Sequence, residues 1–438
     1  MNSYGKILQL DTAGSFDFFT CVISLDIVDP RSLQKLRAEE KTREAGTPYT
    51  MHDFVARDPI MPLVAHEYTH FVDATSTCWG LNHLLLLNGA YQAHQSRVED
   101  QFFRYKVLDN HMRGLRVPAY YRTVAKNTPA TRRWGYYFTA GRRFTAAGHL
   151  KDAPPIIFCN FTTEDRKFLA RSPISALSLL ETSAMAQELL TRMSVLAEVA
   201  GEEANVEKVM QVEKILKYLY DHTITEYSVC AHVVANIQQC SDILLGYSLA
   251  GMLSRFSLDF PRAAFEPLSA TPLLPVLFGV PDGDPSVQLI REGLRLGDRG
   301  ILYYVLAHAL PKGATDSIAV MGGALRYAVE RLGLRMEALR EWTLEEGRLL
   351  ELQVRQGPSE GLRALANAGV QNQAAISQSA IRLDFNSLQV PQALLGDCES
   401  HAIYDSDHNV LGRVSSEQFF NELNFLERAT ADFSEACI

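Results

Sequence analysis

The stretch that most constrains this chain is Leu63-Val64-Ala65-His66-Glu67-Tyr68-Thr69-His70-Phe71-Val72. Two histidines four apart lie one above the other on an α-helix, so both imidazoles reach a single metal ion. This is the spacing of a helical zinc site. Glu67 sits about 100° round the helix from His66. That is too far round for the obvious third ligand, but well placed for taking a proton from a water on the metal. Apart from Glu67, no charged residue stands between His66 and Asp73, which suits a helix built for burial. The competing reading is a buried helix with two hydrogen-bonded histidines.

The remainder of the 438 residues is 47% apolar and 21% charged, the composition of a globular protein with a sizeable core and two or three domains. A net charge of −9 with no long basic run argues against nucleic acid as the main partner. No apolar cluster approaches the length of a membrane span, and the first residues lack the charged start and apolar run of a signal peptide. Seven cysteines, an odd number without a C-x-x-C pair, predict the reduced thiols of a cytoplasmic protein. No feature marks a specificity pocket or an oligomer interface.

Along the chain, Lys6 to Asp11 reads as a strand, turning at Ala13-Gly14-Ser15 into a second, half-buried strand over Phe19 to Ile27. The segment Met51 to Asp73 carries the motif helix, with Pro62 suited to its first turn. Gly80 ends that run, and a long helix follows from Leu81 to Val107. Strands are expected at Tyr136 to Ala147 and Ile156 to Phe161. Arg171 to Ser175 reads as a loop ending in a helix cap; helices are expected over Ala176 to Val199 and Val206 to Ser254. The proline-rich stretch 261–285 reads as a linker or subdomain boundary between a catalytic domain, 1–260, and a mainly helical part, 286–438. The expected class is α+β, predominantly α-helical, with a small mixed sheet.

With its H-E-x-x-H helix, the chain resembles the zincin metallopeptidases. The resemblance covers the motif helix and a third-ligand pattern. It implies one zinc ion held by His66, His70 and a further side chain, with Glu67 as general base and a peptide or protein as substrate. Metzincins place a glycine and a third ligand where this chain has Asp73 and Ser76, so the similarity is to gluzincins, which take a glutamate from a later helix. Glu181, amid Leu179, Leu180, Ala184 and Met185, fits that pattern, since a carboxylate in such company is costly to bury unless it is bound. Glu188, on the same helix face, is an alternative ligand or an outer support, and Glu99 is a third candidate.

Asp73 follows two turns after His66, and a ligand there would stretch the set over roughly 10 Å, too far for one zinc ion. It is expected to accept a hydrogen bond from His70 or to cap the helix. Tyr227 and His232 are candidates for stabilising an oxyanion, against the plainer reading of both as core residues. Asp397, Cys398, Glu399, His401, Asp405, Asp407 and His408 gather near the C-terminus and read as a polar turn. Two other functions compete with a peptidase: a catalytically inactive scaffold, and a zinc hydrolase of a non-peptide amide.

Overall fold

The helix carrying the two histidines lies at the centre of the molecule. A computed structural model describes residues 13–44, 46–115, 117–126, 132, 134–144, 148–396 and 416–437. In it the motif helix spans Met61–Ser76, and every residue from Ala65 to Ser76 is buried. Such a helix must satisfy its hydroxyls internally. The Thr69 hydroxyl donates to the carbonyl of Ala65 at 2.6 Å and that of Thr75 to Phe71 at 2.7 Å. His66, Glu67, His70 and Asp73 are left to find partners on other elements.

In chain order, strands β1 (Ser15–Asp17) and β2 (Val22–Leu25) precede helices α1 (Pro30–Thr42), α2 (Met51–Arg57), α3 (Met61–Ser76), α4 (Cys78–Ser96) and α5 (Phe103–Leu115). Strands β3 (Thr123–Val124), β4 (Gly135–Gly141), β5 (Ile156–Thr162) and β6 (Phe168–Pro173) follow. Helices α6 (Ala176–Ala197), α7 (Glu203–Leu219), α8 (Thr225–Gln238) and α9 (Ile243–Leu258) come next. Beyond them lie α10 (Phe265–Ala270), α11 (Leu273–Phe278), α12 (Pro285–Arg295), α13 (Arg299–Ala309), α14 (Ile318–Arg331), α15 (Met336–Arg355) and α16 (Glu360–Ala375). Strand β7 (Ala393–Leu395) and α17 (Ser416–Ala436) complete the order.

The class is α+β and mostly helical, with two small sheets. In one, β1 pairs antiparallel with β2, and β2 pairs parallel with β7 through Ile23↔Ala393 and Leu25↔Leu395. It packs on α3. The other is antiparallel in the order β3-β6-β5-β4. The main hydrophobic core runs from Phe16 in β1 through Phe71, Leu180, Leu253 and Leu306 to Leu426 in α17. No helix among the described residues is long and apolar enough to cross a membrane. The described cysteines are free thiols.

Several boundaries differ from the sequence expectation, each for a local reason. The expected strand over Lys6 to Asp11 lies outside the described residues. The hairpin is formed instead by β1 and β2, and its turn falls at Phe18–Cys21, where Cys21 has φ 56° and its N–H donates to the Asp17 carbonyl. The segment Met51 to Asp73 holds two helices, α2 and α3, and Pro62 falls in the first turn of the motif helix as expected. Pro62, in the first turn of α3, lacks an N–H and clashes with the carbonyl four residues back, so α2 cannot run on through it.

The break expected at Gly80 comes at Thr77, an extended residue (φ −106°, ψ 163°) that ends α3 and whose side chain caps the start of α4. Gly80 serves packing: a Cβ there would strike the backbone of Asp73 and Ala74. The long helix over Leu81 to Val107 divides at Arg97, which is left-handed with φ 53°. The loop expected from Arg171 contains the end of β6, although Ser175 does cap α6, accepting from the N–H of Ser178. The helix expected over Val206 to Ser254 is three, with the second break at left-handed Gln239. Stretch 261–285 carries a 3-10 turn at Arg262–Ala264 together with α10 and α11.

α16 crosses α3 at its C-terminal end, where Gly369 faces the carbonyl of Thr75 so closely that a Cβ would overlap it. Gly369→Ala is therefore expected to destabilise the protein by about 1–3 kcal/mol, read as a lowered midpoint in urea unfolding. Gly323→Ala, with open space at its Cβ, should not lower it.

Candidate metal centre

α3 and α6 pack along each other and place His66, His70 and Glu181 together. The two Nε2 atoms stand 3.2 Å apart, His70 Nε2 lies 3.3 Å from Glu181 Oε1, and His66 Nε2 lies 3.8 Å from Glu181 Oε2. All three residues are buried. Ligands about 2.0–2.1 Å from a tetrahedral zinc ion stand about 3.3 Å from one another, so these separations are close to the edges of one coordination tetrahedron. Glu181 Oε1 has no hydrogen-bond donor with acceptable geometry, and His70 Nδ1 has no partner. An otherwise costly buried carboxylate facing two imidazole nitrogens fits a cation.

Of the three, His66 is held from behind. His66 Nδ1 lies 3.0 Å from Glu188 Oε2. The carboxylate can only accept there, so Nδ1 carries a proton, and Nε2 is the ring atom that faces His70 and Glu181 and would be free to hold a metal once it loses its own proton. Glu188 in turn meets Arg192 at 3.2 Å, and Arg192 Nε donates to Asp58 at 2.7 Å. Burial alone would raise the Glu188 carboxyl, but His66 and Arg192 hold it below its ordinary value. Burial pulls the His66 imidazole down, yet the Glu188 hydrogen bond and the charges of Glu67, Glu188 and Glu181 push it up to about 10. The field at this position favours positive charge.

Glu67 is buried at the base of β1. A Cβ on Gly14 would lie 3.3 Å from Glu67 Oε1 and 3.1 Å from Leu63, so glycine gives the strand room to pass the carboxylate. Phe16 and Phe18, from β1 and its turn, wall the His70 ring at centroid distances of 6.4 and 5.9 Å.

Asp73 takes a different part from the one expected. No hydrogen bond joins it to His70. Its Oδ1 accepts from Arg255 Nε at 3.2 Å, while Arg255 Nη2 donates to Ser183 at 3.0 Å and Nη1 to the Ala380 carbonyl at 3.3 Å. Burial raises the Asp73 carboxyl despite the neighbouring guanidinium. Arg255 was missed in the sequence, although a lone arginine in the apolar run Leu249 to Phe256 demands a buried partner.

His232 is not brought to the cluster. Its Nε2 donates to the Leu219 carbonyl at 2.8 Å, and its ring packs with Trp134, Phe161 and Tyr220. Burial pushes it down to about 4, the state of a neutral core histidine. Tyr227 is buried in the first turn of the same helix. Glu99 is exposed in a 3-10 turn. The C-terminal group from Asp397 to His408 lies outside the described residues.

Comparison with protein-family models, curated proteins and solved structures yields no match.

The Asp73–Arg255 pair predicts a double-mutant cycle. Arg255→Leu leaves a buried carboxylate unpaired and should cost about 3–5 kcal/mol. Adding Asp73→Asn should recover a measurable part of that loss in denaturant unfolding.

Proposed function

We propose that this chain is a zinc-dependent peptidase of the zincin type, with His66, His70 and Glu181 as ligands and Glu67 as general base. One observation carries the reading: three donor atoms from two helices stand at the spacing of a tetrahedral site, with a glutamate beside the first. Two imidazoles and a carboxylate suit zinc among the common biological cations. When bound, zinc supplies a Lewis acid that brings the pKa of water toward neutrality.

The chain's own groups do the remaining work. Glu67 takes a proton from water and later delivers it to the departing amine nitrogen. Glu188 fixes the tautomer and orientation of His66, backed by Arg192 and Asp58. Among the described strands β1 is one edge of the sheet that packs on α3, with β7 the other, and an extended peptide can add at such an edge as a further strand. Glu67 also separates this reading from an inactive scaffold, which has no use for a base beside the first ligand.

Metal analysis of the purified protein tests the reading. One zinc ion per chain is expected in wild type, with loss in His66→Ala, His70→Ala and Glu181→Ala. Glu67→Gln should keep the metal and lose hydrolysis of a mixed peptide library. Glu188→Gln should weaken zinc binding by about 10–100-fold. A wild-type protein that binds no zinc would end the proposal. Unaltered binding in Glu181→Ala would remove that residue from the ligand set, and zinc binding with cleavage only of non-peptide amides would change the substrate class.

A further inference from the structure

A second polar feature lies apart from this centre. The first turns of α4, α6 and α13 open onto a cavity of about 800 Å³, lined among others by Trp79, Ser175, Asp298 and Phe265. None of His66, His70 or Glu181 lines it. We infer that this cavity is a binding site for a small organic phosphate.

Five cationic side chains line the cavity: Arg143, Lys151, Arg262 and Arg295 from separate segments, and Arg299, which already donates to the carbonyls of Ser257 and Phe260. No carboxylate lies within ion-pair distance of any of them among the described residues. Arg143 Nε is buried with no hydrogen-bond partner, and so is His111 Nε2, which also lines the cavity. A buried guanidinium N–H without an acceptor is costly, and an anion in the cavity supplies one. The three helix starts add the positive ends of their dipoles.

Carboxylates are present but engaged or exposed. Asp298 accepts from the N–H of Ile301 as the cap of α13, and Glu346 accepts from the N–H of Arg262. Asp152 and Glu266 are exposed and pair with none of the five cations. Several guanidinium groups match the geometry of phosphate oxygens. The volume exceeds what an inorganic anion fills, and Trp79, stacked on His111 at 5.5 Å, offers a flat apolar wall for an organic portion.

Pyrophosphate is a suitable probe, titrated calorimetrically into the full-length protein. Saturable binding is expected in wild type, with the same affinity in His66→Ala, since the cavity does not involve the metal-competent group. Arg143→Gln and the exposed Arg295→Gln should each weaken binding by about tenfold or more, with circular dichroism confirming that both remain folded. The proposal fails if no saturable binding appears up to millimolar concentration, or if Arg295→Gln binds as wild type does. It also fails if His66→Ala abolishes binding, which would place the anion at the metal centre instead.

Discussion

The arrangement of the candidate site depends on one guanidinium. Arg255 reaches from α9 to Asp73 on α3, to Ser183 on α6 and to the carbonyl of Ala380. The helix that carries His66 and His70 and the helix that carries Glu181 are thereby fixed to a common point. Two further features make that contact possible. Gly251 lets α9 lie against Ala186 and the Thr182 carbonyl of α6, and the pair is buried completely enough that neither charge has water as an alternative partner. A buried pair contributes little net stability compared with apolar packing. It does penalise any arrangement that separates the two helices, and this is what a set of ligands divided between them requires.

The same logic extends outward from His66. Its ring is held by Glu188, which is held by Arg192, which is held by Asp58 at the entry to α3. Each link is partly or wholly removed from solvent, so each charge is compensated by its neighbour instead of by water. Rotation of the imidazole would leave Glu188 without its hydrogen bond.

What could be read from the sequence follows the range of the interactions. His66, Glu67 and His70 were legible because their geometry is set within one helical turn. Glu181 was legible as an ionisable residue where an apolar face should be, a cost that implies a partner without identifying it. Helix α6 and the helical character of Val206 to Ser254 were visible in the sequence, while the divisions at Arg97 and Gln239 depend on single left-handed residues that carry no glycine to announce them. The Asp73–Arg255 pair joins residues far apart in the chain, and no local pattern specifies it. His232 lies among aromatic rings and donates to the Leu219 carbonyl, the surroundings of a core histidine. The short strand β6 was hidden because Arg171 and Pro173 read as a loop.

The parallel pairing of β2 with β7 has a consequence for the order in which the protein is made. β2 lies near the N-terminus and packs on the motif helix, yet its neighbour Ala393–Leu395 comes late in the chain. Tyr68, within the motif, likewise donates to the carbonyl of Pro391 at 2.8 Å. During synthesis the candidate metal-site residues emerge together with their helices, but the layer that covers them cannot close until β7, far beyond α6 in the chain, has been made. A nascent or truncated chain therefore has the donors without the enclosure that orders them.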